Sequence, residues 1–374
     1  MKIGITCYPT YGGSGAVATE LGLELARRGH EIHFISYSQP FRLTNFIDGV
    51  YFHEVKVNNY PLFEYPPYSF ALAVSMHEVA TREGLDVIHA HYAIPHATAA
   101  WMAREMLREE GRDVKLVTTL HGTDITLVGK DPSYRSVTQF SLSKSDALTA
   151  VSTWLRDRTV AEFDFDGREI QVIPNFVQPR VYDRDRYAGS HVWGAPGEKV
   201  LMHISNFRPV KRIPDLVRVF AAVRESIPAK LVLVGDGPER VAAGELAERM
   251  GVRKDVVMLG KVDSVAELLA NADLFLLPSA QESFGLVALE AHAAGVPVIG
   301  AGGSGLEEVV SDGESGALLP VGDVEGMAAA SIRFLTDPQA LSGASAAARE
   351  AAARFATGAI VPQYEALYGQ VTGL

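Results

Sequence analysis

Short apolar runs alternate with amphipathic stretches along most of the chain. In the first half, an apolar run at residues 3–8 precedes a glycine-rich turn and a helical stretch at residues 15–28, which Gly29 closes. The predicted strands of this half cover residues 3–8, 31–37, 86–89, 115–120, 147–151 and 170–173. Because this alternation is typical of a parallel sheet with helices on both faces, the half is predicted to be a doubly wound α/β domain.

The second half repeats the pattern. Its predicted strands cover residues 199–204, 230–234, 256–259, 274–277 and 298–300, and its predicted helices cover residues 213–224, 239–250, 265–270 and 285–294. Residues 174–197 are rich in Pro, Gly and charge and are predicted to be an irregular linker. The Ala-rich stretch 327–369 is predicted to be helical, with breaks at Asp337-Pro338 and near Gly358 and Pro362.

The 374 residues therefore divide into two predicted Rossmann-like domains, residues 1–174 and 175–358, with a last helix at 359–374 that packs back on the first domain. Ligands of doubly wound domains bind at the carboxyl ends of the strands. We therefore expect the functional residues to line a cleft between the two domains.

Charge and composition exclude several classes of protein. Lys and Arg number 34 against 45 Asp and Glu, a formal charge of -11, which argues against a protein that coats nucleic acid but allows a local basic pocket. The lone cysteine, Cys7, excludes an internal disulfide and a Cys-rich zinc site. The chain opens on a strand pattern, and no apolar run approaches the roughly 18 residues of a membrane span. We expect a cytoplasmic protein without membrane contact.

The turn after the first predicted strand matches a phosphate-loop pattern. Gly13-Ser14-Gly15 with Ala18 fits G-x-G-x-x-A, in which glycines let backbone N–H groups approach an anion at a helix N-terminus. A nicotinamide site also needs an acidic residue at the end of the second strand, where this chain has Ser36-Tyr37-Ser38. Residues 12–15, hereafter the first glycine loop, are therefore predicted to bind an anion; the alternative is plain helix–strand packing.

Three turns of the second half also carry glycines or cations. Gly235-Asp236-Gly237 is predicted to be a tight strand-to-helix turn. Residues 302–305, hereafter the second glycine loop, are predicted to open a helix and to form a second anion cradle. Arg208, Lys211 and Arg212 follow a strand, where they are predicted to grip a diphosphate; the alternative is a solvated loop.

Two carboxylates stand eight positions apart, Glu282 in a loop and Glu290 in the following helix. The helix is otherwise apolar, so Glu290 needs a hydrogen-bonding partner, and ligand hydroxyls are suitable donors. His89, His91 and His96 are interpreted as core or site-lining residues rather than metal ligands, because no carboxylate or thiol accompanies them.

His121 follows the strand 115–120 and is expected to line the site. Asp183-Arg184-Asp185 formally matches the D-x-D pattern of metal-dependent sugar-nucleotide enzymes. We interpret it as an accidental match in the linker, and no metal or other cofactor is predicted.

These residues together resemble retaining glycosyltransferases of family 4, whose two Rossmann-like domains form the B-type fold. The resemblance rests on the first glycine loop, His121-Gly122, Arg208 with Lys211, the Glu282/Glu290 pair and the segment 305–308, all in the family order. Within the family, the stretches KIGITCYP, PFRL, YPPY, HAHY, TTLHGTDIT and SNFR are similar to members that use UDP-N-acetylglucosamine to glycosylate the hydroxyl of L-malate. That reaction is the first step of bacillithiol biosynthesis.

The resemblance implies a role for each motif. Arg208 and Lys211 would stabilise the departing diphosphate without a metal, while Glu282 would bind the hydroxyls of the donor sugar and Glu290 those of the ribose. His121 would lie beside the sugar. Backbone groups of Gly13, Gly285 and Leu286 would assist at the donor, and the acceptor L-malate would lie among Ser14, Tyr92, Thr119 and Asn206.

Two departures and two alternatives accompany the resemblance. Ser304 occupies a usual glycine position and Glu307 a usual proline position, but Glu307 suits the first turn of a helix, so we expect that helix to persist. The alternatives are the same transfer to a sugar or lipid acceptor, and a UDP-sugar epimerase or binding protein. The sequence leaves a monomer and a homodimer both open.

Overall fold

The computed structural model describes residues 1–10, 12–43, 46–57, 64–165, 170–187, 189–190 and 193–374. The chain forms two compact units. The N-unit comprises Met1–Asn175 and Gly358–Leu374, and the C-unit comprises Phe176–Thr357. Among the described helices, none combines the length and the apolar character that crossing a lipid bilayer requires.

The N-unit is built on a seven-stranded sheet in the order β3-β2-β1-β4-β5-β6-β7, with every pairing parallel. In chain order its elements are β1 (Lys2–Thr6), α1 (Gly13–Arg27), β2 (Glu31–Ser36), β3 (Val50–Glu54), α2 (Tyr68–Glu83), β4 (Val87–His91), α3 (Thr98–Glu109), β5 (Lys115–Leu120), α4 (Thr123–Thr126), α5 (Pro132–Lys144), β6 (Ala147–Ala150), α6 (Thr153–Phe163) and β7 (Ile170–Val172).

The C-unit has a six-stranded parallel sheet in the order β10-β9-β8-β11-β12-β13. Its elements are β8 (Lys199–Ser205), α7 (Ile213–Ser226), β9 (Ala229–Gly235), α8 (Arg240–Arg249), β10 (Val256–Gly260), α9 (Ala266–Leu269), β11 (Leu274–Leu277), α10 (Leu286–Ala293), β12 (Val298–Ala301), β13 (Gly316–Leu319), α11 (Val324–Thr336) and α12 (Pro338–Ala353). The last helix, α13 (Thr357–Thr372), belongs almost entirely to the N-unit.

Each sheet therefore has the doubly wound order 3-2-1-4-5-6, with a seventh strand added in the N-unit. The predicted fold class is confirmed. Burial follows the pattern of the sequence: β4 and β11 are buried at every position. Helix α1 packs close to its sheet because Gly22 has no side chain, and a Cβ there would lie 2.5 Å from the ring of Phe34.

Two strands were absent from the sequence prediction, and both lie at sheet edges. β3 is half-exposed along its whole length, and β13 is only four residues long. The sequence of β3, VYFHE, mixes polar and aromatic residues and lacks the continuous apolar run of a central parallel strand, whereas β13, GALL, is apolar but short.

Three predicted details are corrected. Helix α13 continues through Pro362, whose ring nitrogen cannot donate to the carbonyl oxygen of Gly358 in the first turn. The predicted linker contains two 3₁₀ turns, Pro179–Tyr182 and Arg184–Arg186, in its described part. The second glycine loop opens only a four-residue 3₁₀ turn, Gly305–Glu308, instead of a helix.

Candidate functional site

The order of strands reverses at one point in each sheet, between β1 and β4 in the N-unit and between β8 and β11 in the C-unit. The carboxyl edge at such a switch point is where doubly wound folds bind ligands. Most of the predicted site residues follow these four strands. Gly13 and Ser14 follow β1, Tyr92 follows β4, Asn206, Arg208 and Lys211 follow β8, and Glu282, Gly285 and Leu286 follow β11.

The first glycine loop is open at the start of α1. Gly12 and Gly13 are exposed, Ser14 is half-buried, and no described side chain caps the helix. Gly15 is required for the turn, since a Cβ there would lie 2.5 Å from the carbonyl oxygen of Tyr8. The first-turn amides of a 15-residue helix are thus presented at this edge, which suits an anion.

Tyr92 is held beside this loop by its backbone. Its φ of 91° is unusual for a residue with a side chain, and its amide donates to the carbonyl oxygen of Thr119 at 3.0 Å. Burial and the Asp124 carboxylate raise the pKa of Tyr92 to about 12, while Ser14 and Thr123 face its hydroxyl. The phenol is therefore a neutral hydrogen-bonding group that adjoins the hydroxyl of Ser14.

Thr119 does not suit the acceptor contact predicted for it. Its side chain is fully buried, and its hydroxyl lies 2.7 Å from Nε2 of His89 and 2.6 Å from the hydroxyl of Thr149. These contacts are with the two neighbouring strands, β4 and β6. Thr119 is instead a structural residue, which supports Tyr92 through its carbonyl oxygen.

His121 lies at the end of β5 and is half-buried. Its Nε2 lies 2.8 Å from Nδ1 of His91, and the two rings stack with centroids 5.1 Å apart. Burial and the neighbouring His96 lower the pKa of His121 to about 3, so the ring is neutral near pH 7.

Asp124 anchors the loop that carries His121. Its buried carboxylate accepts hydrogen bonds from the backbone N–H groups of Ala93 at 3.1 Å and Gly122 at 2.9 Å. Burial raises the pKa of Asp124 to about 6, although these donors oppose the shift. The carboxyl group thus holds the two loops that follow β4 and β5 together.

The other histidines of this region are buried parts of the core, as the sequence interpretation expected. His89 places Nδ1 2.7 Å from the hydroxyl of Tyr368 on α13. Burial lowers the pKa of His89 and His96 to about 3 and lowers that of His91 well below its usual range. These rings are therefore uncharged near neutral pH.

The C-unit edge is charged. Nζ of Lys211 lies 2.7 Å from Oε1 of Glu282, and both side chains are largely buried. Arg208 is exposed in the same turn and accepts the amide of Lys211 through its carbonyl oxygen at 2.8 Å. An ammonium and a guanidinium within one turn are suited to an oxyanion such as a diphosphate.

The sequence analysis did not single out His203, a buried residue of β8 that supports the turn containing Arg208. Its Nδ1 lies 2.8 Å from the carbonyl oxygen of Leu276, so that nitrogen donates, and Nε2 accepts from the hydroxyl of Ser205 at 2.8 Å. Ser205 in turn accepts from the amide of Phe207, whose φ is 44°. A polar residue inside the apolar β8 run was the available signal.

The turn at residues 235–237 packs against the same segment, and its prediction as a tight strand-to-helix turn is confirmed. A Cβ at Gly235 would lie 1.8 Å from the carbonyl oxygen of Ser205, and a Cβ at Gly237 would lie 2.0 Å from that of Asn206. Both glycines therefore permit the close approach that fixes the backbone of exposed Asn206.

Glu290 has a protein partner that the sequence analysis missed. The hydroxyl of buried Tyr182 donates to Oε1 of Glu290 at 2.7 Å. Tyr182 lies in the segment predicted to be a linker, so that segment holds the carboxylate of Glu290. Gly285, with a φ of 93°, precedes α10, and no described side chain caps the helix at Leu286.

The second glycine loop is closed, so its prediction as an anion cradle is wrong. The amides of Gly302, Gly303 and Gly305 donate to the Leu319 carbonyl, to Oε1 of Glu307 and to the Glu282 carbonyl, at 2.9, 2.5 and 2.9 Å. The carboxylate of Glu307 therefore takes the position that a bound anion would need.

Metal-capable side chains gather away from these edges. Within the described ranges, the ligand atoms of Glu31, His33 and Glu83 lie within 4.8 Å of one another, at the amino end of β2. Lys2 pairs with Glu31, and Arg82 with Glu83. Asp183 of the D-x-D match accepts the backbone amide of Asp185 at 3.1 Å, which is a turn contact.

Taken separately, the two edges offer different chemistry. The N-unit edge provides helix amides, a serine hydroxyl, a neutral phenol and a neutral imidazole, while the C-unit edge provides two cations and two carboxylates. The first set can bind a small anion through hydrogen bonds, and the second can bind a diphosphate and sugar hydroxyls.

Comparison with known proteins agrees with this arrangement. Residues 11–181 match the model of Glycosyltransferase Family 4, and residues 191–354 match that of Glycosyl transferases group 1. N-acetyl-alpha-D-glucosaminyl L-malate synthase of Bacillus anthracis is 50% identical over 99% of this chain and 97% of its own. A D-inositol 3-phosphate glycosyltransferase of Stackebrandtia nassauensis is 31% identical over 77% of this chain and 69% of its own.

Solved structures share the fold at low identity. Sucrose-phosphate synthase of Thermosynechococcus elongatus superposes with a TM-score of 0.83 at 21% identity, covering 100% of this chain and 99% of its own. HepE of Anabaena superposes with a TM-score of 0.79 at 21% identity, covering 98% and 99%. The fold is that of the B-type glycosyltransferases, and the chain belongs to glycosyltransferase family 4.

Proposed function

We propose that this glycosyltransferase moves N-acetylglucosamine from UDP-N-acetylglucosamine to the hydroxyl of L-malate with retention of configuration, the first step of bacillithiol biosynthesis. The observation that carries the proposal is the 2.7 Å pairing of Lys211 with Glu282 in the turn of Arg208. The 50% identity to the Bacillus anthracis synthase, over nearly the whole of both chains, supports the choice of substrates.

The donor is assigned to the C-unit edge. Arg208 and Lys211 stabilise the negative charge that develops on the leaving diphosphate, which is the role a metal ion has in other transferases. Glu282 binds the donor sugar and Glu290, oriented by Tyr182, binds the ribose hydroxyls. Gly285 and Leu286 contribute backbone groups at the start of α10. The proposed reaction is therefore independent of metal ions.

The acceptor is assigned to the N-unit edge. One malate carboxylate accepts hydrogen bonds from the amides of the first glycine loop and from the hydroxyl of Ser14, and Tyr92 supplies a further donor. Gly13 in the same loop meets the donor phosphates, and His121 lies beside the transferred sugar. Asn206, in the C-unit, is assigned to malate on the resemblance alone.

Retention is proposed to proceed by attack on the face from which UDP departs. Glu282 is paired with Lys211, so its carboxylate is a poor candidate for a free nucleophile. In the proposed step the bond from the sugar C1 to the diphosphate breaks, a bond from C1 to the malate hydroxyl oxygen forms, and the hydroxyl proton passes to the leaving phosphate.

A matrix of donors and acceptors with mass detection tests the proposal. UDP release and a glycosyl-malate product are expected only with UDP-N-acetylglucosamine and L-malate together, and excess chelator should leave turnover unchanged. Reactions without enzyme serve as the control. Comparable transfer to inositol 3-phosphate or to a neutral sugar, or conversion of the donor without an acceptor, would show a different transferase or an epimerase.

A further inference from the structure

His91 is buried beneath His121 and has one ring nitrogen with a partner and one without. Its Nδ1 lies 2.8 Å from Nε2 of His121. Its Nε2 is buried and has no hydrogen-bond partner among the described residues. The two rings also stack, 25° from parallel. This asymmetry determines where the protons lie on both rings.

A buried N–H group without an acceptor is more costly than a bare ring nitrogen, and orphaned donors are rare in folded proteins. The proton of neutral His91 is therefore on Nδ1, from which it is donated to Nε2 of His121. Since Nε2 of His121 accepts, the single proton of that neutral ring is on Nδ1. His121 thereby presents an N–H donor to whatever binds at its half-exposed side.

We propose that His91 is a positioning residue that fixes His121 as the Nδ1–H tautomer, so that His121 donates a hydrogen bond to an oxygen of the bound sugar. The contact with sugar rests on the function proposed above, whereas the tautomer does not. With Nε2 engaged by His91, the remaining nitrogen can only donate, so His121 is not the base that removes the acceptor's proton. This agrees with a proton transfer to the leaving phosphate.

His89 provides a matched control on the same strand and the same face. Its ring lies against that of His91, with centroids 4.3 Å apart and the ring planes tilted by 30°, and both side chains are fully buried. The nitrogens of His89, however, face the hydroxyls of Tyr368 and Thr119 at 2.7 Å each, not His121. Replacement of either histidine disturbs the core in a similar way, but only replacement of His91 removes the donor to His121.

The first experiment reads the tautomer directly. Two-bond ¹⁵N–¹H correlation spectra of the substrate-free, histidine-labelled protein, assigned with His121→Gln, should show His121 protonated at Nδ1. Protonation at Nε2 would overturn the proposal. Because no substrate is present, this result is independent of whether malate is the acceptor.

The second experiment compares three variants in the proposed reaction. His91→Leu should lower kcat about tenfold with little change in the donor KM, as expected for one lost hydrogen bond, and should allow the Nε2–H form of His121. His91→Asn, whose amide N–H replaces the Nδ1 donor, should restore kcat to within about threefold of wild type. His89→Leu should lower thermal stability to a similar extent while the tautomer of His121 stays unchanged.

Equal kcat losses in His91→Leu and His89→Leu, or no recovery in His91→Asn, would overturn the positioning role. If His91→Leu does not fold, the comparison of wild type with His91→Asn and the spectrum of His121 still decide the matter.

Discussion

The two sheets share one strand order, yet their switch-point edges differ in charge. The N-unit edge gathers neutral groups: Ser14 after β1, and Tyr92 and His121 on the two loops that Asp124 holds together. The C-unit edge carries the Lys211–Glu282 pair. Because the backbone frameworks are alike, the difference arises in the loops that follow the strands. The fold supplies two equivalent positions, and loop residues give each its own ligand chemistry.

The two glycine loops show the same contrast on a smaller scale. The first presents the amides of α1, while the amides of the second are taken by Leu319, Glu307 and Glu282. Similar glycine content therefore does not imply similar anion binding. What decides is whether groups of the protein, backbone or side chain, already accept hydrogen bonds from the amides of the loop.

Of all the tests, acid should give the largest difference between the two units: the N-unit should lose more stability than the C-unit. In the N-unit, the pKa values of His89, His91, His96 and His121 are lowered from 6.5, whereas in the C-unit those of His203 and His292 are lowered to about 4. Between its pKa in the folded protein and pH 6.5, each of these histidines is protonated in the unfolded state only. The free energy of unfolding therefore falls by about 1.4 kcal/mol per histidine for each pH unit of acidification. Asp124 offsets the effect of one of the four N-unit histidines. Its pKa is raised, so its own contribution to stability grows as pH falls below about 6.

Hydrogen exchange at pH 7 and pH 5, corrected for intrinsic rates, measures this difference. Peptides of β4 and β5 should lose protection before peptides of β8 and β11. Equal protection loss in both sheets, or earlier loss in the C-unit, would contradict the inferred contrast in buried histidines.

Lys211→Ala should have the largest effect on catalysis. The substitution removes a cation from the developing diphosphate charge and leaves Glu282 unpaired, so we expect a loss of about 2–4 kcal/mol in transition-state stabilisation, or roughly 30- to 1000-fold in kcat/KM. Arg218→Ala is the matched control, because Arg218 lies on α7 and pairs with Asp215 instead of Glu282. Near-normal turnover of Lys211→Ala at saturating donor would exclude the assigned role.

Tyr182→Phe should have a smaller effect, on the KM for the donor. The variant removes the hydroxyl that donates to Glu290, so the donor KM should rise about fivefold, equivalent to about 1 kcal/mol, while kcat changes little. Tyr187→Phe, in the same segment and packed against Arg186, should behave like wild type. Steady-state kinetics with varied UDP-N-acetylglucosamine measures the donor KM of both variants. An unchanged donor KM in Tyr182→Phe would contradict the orienting role of Tyr182.

Part of the fold and of the site could be predicted from the sequence. The central strands and the residues that follow them were predictable, since buried parallel strands are continuous apolar runs and ligand loops follow their carboxyl ends. The face on which Thr119 lies, the hydroxyl that Tyr182 gives to Glu290 and the closure of the second glycine loop were not. The contacts of Thr119 and Tyr182 join residues far apart in the chain, and the loop closure depends on where the side chain of Glu307 lies, which the glycine pattern does not encode.

Ser304→Gly should have the smallest effect. It restores the family glycine, but the neighbouring amides already donate within the protein, so donor KM and turnover should stay within about twofold of wild type. A substantial fall in donor KM would show that this loop does bind phosphate.

A crossed measurement of Michaelis constants tests most directly whether the two edges divide the substrates. Ser14→Ala should raise the malate KM about fivefold and leave the donor KM unchanged, because one hydrogen bond to the acceptor carboxylate is lost. Glu290→Gln should raise the donor KM by a similar factor and leave the malate KM unchanged. A rise of the same substrate's KM in both variants, or of the opposite one in each, would contradict the assignment of malate to the N-unit and UDP-sugar to the C-unit.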